Sequence, residues 1–172
     1  MKNIVKCFLC ICFFWGCSSE DSDEESSVLE PNFKFEISGA INATLTGQGV
    51  VYNETTVETK DYEGKDVKVT TILVIAQDRD SDNQVIFGVT SKGSKVGTGE
   101  YEIGTDLFES RNAFMNFSGD RGSTISYQSE SGSINFDSRL FYATGQVNVT
   151  CTGVGGGETL TVKGSFQAES VN

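Results

Sequence analysis

Three aspartates at alternate positions are the residues whose types and spacing best fit a metal site. Asp78, Asp80 and Asp82 follow one another along a single loop, separated by Arg and Ser. Calcium loops gather carboxylate oxygens around a hard cation from alternate positions in this way. The sixth position is Asn83 instead of glycine, and the twelfth is Val89 instead of glutamate. The sequence therefore leaves two interpretations, a Ca²⁺ site and a solvated turn between two strands, and it predicts no other cofactor.

Composition excludes several kinds of chemistry. The 172 residues contain no histidine, which removes the Ser-His-Asp triad and any imidazole metal ligand. With 13 Lys and Arg against 24 Asp and Glu, the formal net charge is −11. Nucleic acid binding needs a basic surface, so we expect no nucleic acid partner.

Carboxylate pairs and a glycine-rich run are the remaining candidates for catalysis. Glu100 and Glu102 share one strand face, which is typical of solvated residues at a sheet edge. Glycoside hydrolysis would instead require two carboxylates at a fixed separation in a cleft. The run Gly153–Gly157 precedes an alternating strand and not a helix, so we predict a hairpin turn and not a phosphate cradle. We therefore expect no enzyme.

The first residues have the pattern of a secretory signal. Lys2 and Lys6 provide a basic start, and the stretch from Ile4 to Gly16 is otherwise almost wholly apolar. The cysteine that follows, Cys17, resembles the modified cysteine of bacterial lipoproteins, and this resemblance implies cleavage after residue 16. Cys17 would then carry the acyl chains, such as palmitate, that anchor the protein to a membrane. The alternative is a plain signal peptide with a nearby cleavage site.

Residues 17–31 form an acidic segment between that signal and the remainder of the chain. Ser18 to Glu30 contains six acids and no base, and such a stretch cannot bury enough apolar surface to fold. We predict a disordered tether. An acidic run directly after a lipidated cysteine resembles the export signal of Bacteroidota surface lipoproteins. This resemblance implies an outer-membrane protein exposed at the cell surface; the alternative is one facing the periplasm.

Residues 32–172 read as a single all-β domain. Apolar and polar residues alternate along many short runs, which is the pattern of half-buried strands. The alternating sets are Phe33, Phe35 and Ile37; Val67, Val69, Thr71, Leu73 and Ile75, with Ile72 and Val74 apolar on the other face; Val85, Phe87 and Val89; Tyr101 and Ile103; Ile125 and Tyr127; Ile134 and Phe136; Val147, Val149 and Cys151; and Leu160, Val162 and Phe166. We predict about ten short strands in an antiparallel β-sandwich or flattened barrel.

Turn residues separate these runs. The predicted turns are Tyr62–Lys65, Gly97–Gly99, Ser118–Gly122, Ser131–Ser133 and Gly153–Gly157, and the stretch Thr105–Asn112 has room for one helical turn.

Side-chain direction along the predicted strands separates core from surface. Cys151 has the same parity as Val147 and Val149, so we expect a buried thiol and not a reactive one. Tyr101 and Tyr127 fall on inward positions. Tyr52, Tyr62 and Tyr142 are the tyrosines left for a surface site.

The domain resembles a family of small Bacteroidota lipoproteins that carry a β-rich domain of unknown function. The resemblance rests on four short motifs, at Phe33–Gly39, Gly97–Tyr101, Tyr127–Ile134 and Gly164–Ala168. The resemblance covers most of residues 32–172. It implies a lipid-anchored β-domain and assigns no catalytic residue to this chain.

These observations favour a non-catalytic binding or envelope-interaction module anchored through Cys17. Its partner would be a protein or a glycan. One alternative is a calycin-like carrier of small hydrophobic ligands, which would need an apolar cavity of several hundred Å³. A second alternative is a glycan-binding or glycan-hydrolysing surface lipoprotein.

Overall fold

The residues that the structure describes form ten β-strands. A computed structural model describes residues 32–48, 50–78, 80–93, 95–106, 108, 112–118, 126–139 and 141–171. The strands are β1 (Asn32–Gly39), β2 (Ala43–Gln48), β3 (Val51–Lys60), β4 (Asp66–Gln77), β5 (Gln84–Lys92), β6 (Gly99–Glu102), β7 (Asn112–Ser118), β8 (Ser126–Arg139), β9 (Tyr142–Gly153) and β10 (Thr159–Ser170). The described residues contain no helix, so the all-β prediction is confirmed.

No helix that could cross a membrane is found among the described residues. The predicted signal peptide 1–16, with Cys17 beyond it, and the predicted tether 17–31 lie outside them, as does Ile125. Residues 119–122 of the predicted turn Ser118–Gly122 also lie outside the described residues. The same holds for half of the predicted helical turn at 105–112.

Hydrogen bonds join the ten described strands into one sheet that closes partly into a ring, and this sheet folds into two layers. The larger layer has the order β2-β1-β10-β9-β8-β6, and the smaller has the order β3-β4-β5-β7. The long strands β8 and β10 join the layers, because the start of β8 pairs with β7 and the end of β10 pairs with β3. All strand pairings are antiparallel except that short β10–β3 contact. The result is the sandwich or flattened barrel that the alternation predicts.

Two β-bulges explain how β8 takes part in both layers. The pairing of β8 with β9 shifts at Glu130 and again at Asp137, and each shift leaves one residue of β8 without an opposite partner. A bulge bends its strand and increases the local twist. Residues 126–128 of β8 can therefore pair with β7, while residues 133–136 pair with β6.

The predicted turn at Ser131-Gly132-Ser133 is wrong, because these residues lie inside β8. Gly132 adopts a φ of +111°, and a Cβ there would lie 2.2 Å from the backbone oxygen of Asn148. Glycine is thus needed where the strand passes a neighbouring backbone beside a bulge. A glycine flanked by two serines has the same local sequence beside a bulge as it has in a turn, so the sequence does not distinguish the two.

The interior between the layers is filled by aromatic and aliphatic side chains. A continuous series of ring contacts crosses it, with centroid distances of 6.0 Å for Phe35–Phe87, 4.8 Å for Phe87–Phe166, 5.3 Å for Phe136–Phe166 and 6.3 Å for Tyr101–Phe136. All five rings are at most 3% exposed. Phe87 of β5 contacts Phe35 of β1 and Phe166 of β10, so these two ring pairs connect the layers and add to the free energy gained from burial.

The alternating set Val67, Val69, Thr71, Leu73 and Ile75 of β4 faces away from the core. Ile72 and Val74 are fully buried opposite Val89 and Phe87 of β5. Leu73 and Ile75 therefore point away from the core and are half-buried. Because β4 is apolar on both faces, part of its hydrophobic surface faces outward.

Candidate functional site

Polar side chains from five strands line a shallow groove on the outer face of the larger layer. We call it the polar groove. It is lined by Lys34, Glu36, Glu100, Ser133, Asn135, Gln146, Asn148, Lys163 and Ser165.

The groove follows from strand alternation and register. Inward residues of these strands form the core, so the residues between them face solvent in the same direction. Pairing then aligns the outward residues into two rows that cross the sheet. One row is Lys34, Ser165, Gln146, Asn135 and Glu100, and the other is Glu36, Lys163, Asn148 and Ser133.

Three depressions share their walls and so form one continuous feature. The central one has a volume of about 330 Å³ and lies between Gln146, Asn148, Lys163 and Ser165. A second, of about 210 Å³, extends from the same amides to Glu100. A third, of about 230 Å³, extends in the opposite direction past Lys163 to β1. The floor is backbone of the sheet, so the groove is wide and shallow.

The two ends of the groove carry charged residues that already have partners. At one end, Ser133 Oγ donates a hydrogen bond to Glu100 Oε1 at 2.6 Å. At the other end, Lys34 Nζ lies 3.9 Å from Glu36 Oε1, and both side chains are well exposed. An ion pair this exposed contributes little to stability. These groups can therefore exchange partners at small energetic cost.

The middle of the groove offers polar groups that the fold does not use. Within the described part of the chain, the exposed side chains of Gln146, Asn148 and Lys163 have no hydrogen-bond or ion-pair partner. An amide both donates and accepts hydrogen bonds, and an ammonium group only donates. The arrangement can therefore bind a ligand rich in hydroxyl or carbonyl oxygens.

The carboxylates that line the groove are not arranged for hydrolysis. Glu36 lies on β1 and Glu100 on β6, and four strand spacings separate these strands. At about 4.8 Å per spacing, the two carboxylates are roughly 19 Å apart, against the ~9.5 Å upper limit for a glycosidase pair. Glu102 neighbours Glu100 on the same face of β6, and both are exposed where the strand pairs with β8. Neither pair is enclosed in a cleft.

The aspartate loop forms the predicted turn between β4 and β5. Asp78 is 9% exposed, and its carboxylate accepts hydrogen bonds from Ser81 Oγ at 2.8 Å and from the backbone N–H of Asp80 at 3.3 Å. Asp78 N–H in turn donates to the carbonyl of Asn83 at 3.0 Å. Asp78 thus orders the turn.

No cluster of three potential metal ligands occurs among the described residues, Asp78, Asp80 and Asp82 included. A Ca²⁺ site at this loop stays a prediction. Calorimetric titration with Ca²⁺, compared between the wild type and Asp80→Ala, tests it.

The remaining candidates lie apart from the groove. Tyr101 and Tyr127 are buried as predicted, and Tyr52 is buried as well. Tyr62 is 77% exposed, and Tyr142 is half-buried. The tyrosines therefore do not form a common surface.

Cys151 is a free, fully buried thiol. Its burial raises the pKa from 9.0 to about 12. The prediction of a buried, unreactive cysteine is confirmed for its burial, and the raised pKa disfavours the thiolate.

The polar groove has no local signature in the sequence. Gln146, Asn148 and Lys163 have no motif around them that would single them out. The rows depend on pairings between β1, β10, β9, β8 and β6, which no local pattern encodes. The available signal was the excess of amide and hydroxyl residues at the outward positions of β9.

Comparison with known proteins leaves the site to be interpreted from its geometry. The chain matches no protein-family model, no curated protein and no solved structure.

Proposed function

We propose that the protein is a non-catalytic, lipid-anchored binding module of the cell envelope that binds a glycan in the polar groove. The observation that supports this most is the set of three unpartnered polar side chains, Gln146, Asn148 and Lys163, at the centre of a continuous groove. Amide and ammonium groups set side by side are suited to the hydroxyl and ring oxygens of a sugar chain.

The dimensions of the groove favour an extended ligand. It crosses five strands, or about 19 Å from first to last. Its openness to solvent allows a polymer to enter and leave at both ends. A rigid sheet that presents polar groups at fixed spacing can bind such a chain with little ordering of its own side chains.

The filled interior favours surface binding over the carrier alternative. Phe87 and Phe166 meet at 4.8 Å in the middle of the interior, and Phe136 continues the series at 5.3 Å. A calycin-like carrier would need an apolar cavity of several hundred Å³ at that place. The depressions described above lie instead on the outer face and are lined by polar residues.

The proposed location rests on the sequence. The signal-like segment 1–16 and Cys17 favour a lipid anchor in the outer membrane, and the acidic run 18–30 favours exposure at the cell surface. A domain anchored there meets polysaccharides of the envelope and the surroundings. The groove supplies the chemistry for binding them.

A glycan array tests this proposal with the chain from Ser18 onward. We expect the wild type to bind a subset of the oligosaccharides. The double variant Gln146→Ala, Asn148→Ala should bind them about 10-fold to 30-fold more weakly, because each amide contributes about 1 kcal/mol. Gln128→Ala is the matched control, since it removes an exposed amide of β8 outside the groove. Wild-type affinity in the double variant, or binding to no glycan, would contradict the proposal.

A further inference from the structure

The smaller layer presents a second surface, on the opposite side of the molecule from the polar groove. Strand alternation places twenty residues on the outward side of this layer, which we call the uncharged face. From β3 these are Val51, Asn53, Thr55, Val57 and Thr59; from β4 Val67, Val69, Thr71, Leu73, Ile75 and Gln77; from β5 Gln84, Ile86, Gly88, Thr90 and Lys92; and from β7 Asn112, Phe114, Asn116 and Ser118. All but Lys92 are uncharged, and Gly88, Thr90 and Asn112 are buried at one side of the face.

Apolar side chains occupy the middle of this face. Leu73, Ile75, Ile86 and Phe114 lie on adjacent strands, and each is half-buried. The Phe114 ring lies over Gly88, where an added Cβ would be 2.5 Å from the ring. The aromatic ring thus lies close against the backbone of Gly88 and extends the apolar surface across the sheet. Contiguous apolar surface of this kind on a soluble domain marks an interaction site.

None of the described residues that make up the face is an acid, although residues 32–172 have 18 acids and 11 bases. Its single charge is Lys92, whose Nζ lies 3.6 Å from Asp61 Oδ2. That pair closes one end of the face, together with Tyr62. The Tyr62 ring meets the Phe108 ring edge-on at 4.9 Å. A surface free of acid on an acidic domain is where two copies can meet without like-charge repulsion.

We propose that the uncharged face is a dimerisation surface on which a second copy of this chain packs, sheet against sheet. Two flat, twisted sheets pack at about 10 Å through interdigitating side chains. Four strands of about eight residues cover roughly 500 Å² per copy, so a symmetric pair would bury about 1,000 Å² in total. That area reaches the lower limit for a specific interface.

The polar residues of the face favour a second copy over a lipid surface. Asn53 and Asn116 lie beside the apolar centre, at Leu73 and Ile86 respectively. An amide can donate to and accept from an identical amide across a two-fold axis, so these residues are self-complementary. Acyl chains would leave the same amides without partners, at a cost in free energy. The dimer would leave both polar grooves facing outward.

Sedimentation velocity on the chain from Ser18 onward tests the dimer. We expect the wild type to sediment as a concentration-dependent dimer at about 10–100 μM, a range suited to an interface of this size. Leu73→Glu and Ile86→Glu, made separately, should each raise the dimer dissociation constant about 10-fold or more, because each buries a carboxylate at the interface. Val154→Glu is the control, since Val154 is 70% exposed in the β9–β10 turn; it should dimerise like the wild type.

Further measurements keep the test decisive if a glutamate variant unfolds. Val57→Glu changes a residue of the face that is already 54% exposed, and it should weaken the dimer while keeping the wild-type circular dichroism spectrum. Flotation with phosphatidylethanolamine and phosphatidylglycerol vesicles examines the lipid alternative. A wild-type monomer throughout this range would overturn the proposal. Vesicle binding that Leu73→Glu abolishes, or dimers that no substitution on the face weakens, would overturn it too.

Discussion

Arg139 at the end of β8 and Glu54 in β3 form an ion pair that ties the larger layer to the smaller one. Arg139 Nη2 lies 2.5 Å from Glu54 Oε2, and Arg139 Nη1 donates to the carbonyl of Val96. The two side chains are 16% and 28% exposed. Charges covered to this degree depend on each other, because removing one leaves the other poorly solvated.

Breaking this pair should therefore lower stability more than replacing it as a whole. Arg139→Met should cost about 2 kcal/mol, less than the ~3–5 kcal/mol of a fully buried pair, because Glu54 retains some contact with water. The double variant Arg139→Met, Glu54→Leu should be more stable than the sum of the two single variants indicates. Urea unfolding measures all four proteins, and strictly additive losses would count against the coupling.

A glycine in β9 is required by close packing. A Cβ at Gly145 would lie 2.0 Å from the carbonyl oxygen of Asn135 and 2.9 Å from the Phe166 ring. Gly145→Ala should thus destabilise the domain by about 2–3 kcal/mol, because backbone and core must both shift. Gly97→Ala is the control, since nothing lies within 4 Å of its added Cβ, and it should stay within about 0.5 kcal/mol. Thermal unfolding compares them, and equal melting temperatures would show that the packing is looser.

Buried Cys151 should react with thiol reagents only when the domain opens. Its pKa is raised to about 12 by burial, so the native protein has almost no thiolate near neutral pH. In the chain from Ser18 onward it is also the sole cysteine. Labelling with iodoacetamide across a urea series should follow the unfolding curve. Fast modification without urea would contradict the buried position.

Asp61 makes the β3–β4 turn sensitive to acid. Its pKa is lowered from 3.8, first by the backbone N–H of Lys65 and then by that of Glu63 and the charge of Lys92. A carboxyl whose native pKa is depressed stabilises the fold above its unfolded pKa and loses this contribution as pH falls through the native pKa. Asp61→Asn should thus be less stable than the wild type at about pH 6, with the gap closing below about pH 4. Urea unfolding measures the difference in the free energy of unfolding between Asp61→Asn and the wild type at about pH 6 and below about pH 4. An equal difference under both conditions would refute this prediction.

Much of the fold could be predicted because the strands follow a period of two. The inward positions of β1, β5, β9 and β10 agree with the alternation in the sequence, and so does the turn around Asp78. Strand β4 shows the limit of that reasoning. Both Ile72 and Leu73 fit a core, and only pairing with Val89 of β5 decides that Ile72 is the buried one. Gly132 shows a second limit, since its neighbours indicate a turn while the residue lies inside a strand.

The candidate site could not be predicted, because it is a property of register. Lys34 faces Ser165, and Ser165 faces Gln146, across pairings between segments far apart in the chain. Each residue alone is an ordinary exposed position of a strand. The uncharged face likewise needs four strands in place before the lack of carboxylates becomes visible. Local sequence patterns predict the strands well. The polar groove and the uncharged face, however, form only when strands that are distant in the sequence pair.

The most direct test of glycan binding in the polar groove is a two-dimensional NMR titration of the side-chain amides. The probe is the oligosaccharide that binds best on the array, added to the chain from Ser18 onward. The side-chain NH₂ signals of Gln146 and Asn148 should shift in a saturable way, while that of Gln128 stays in place. Saturable binding that leaves the Gln146 and Asn148 signals unmoved would contradict the groove as the binding site.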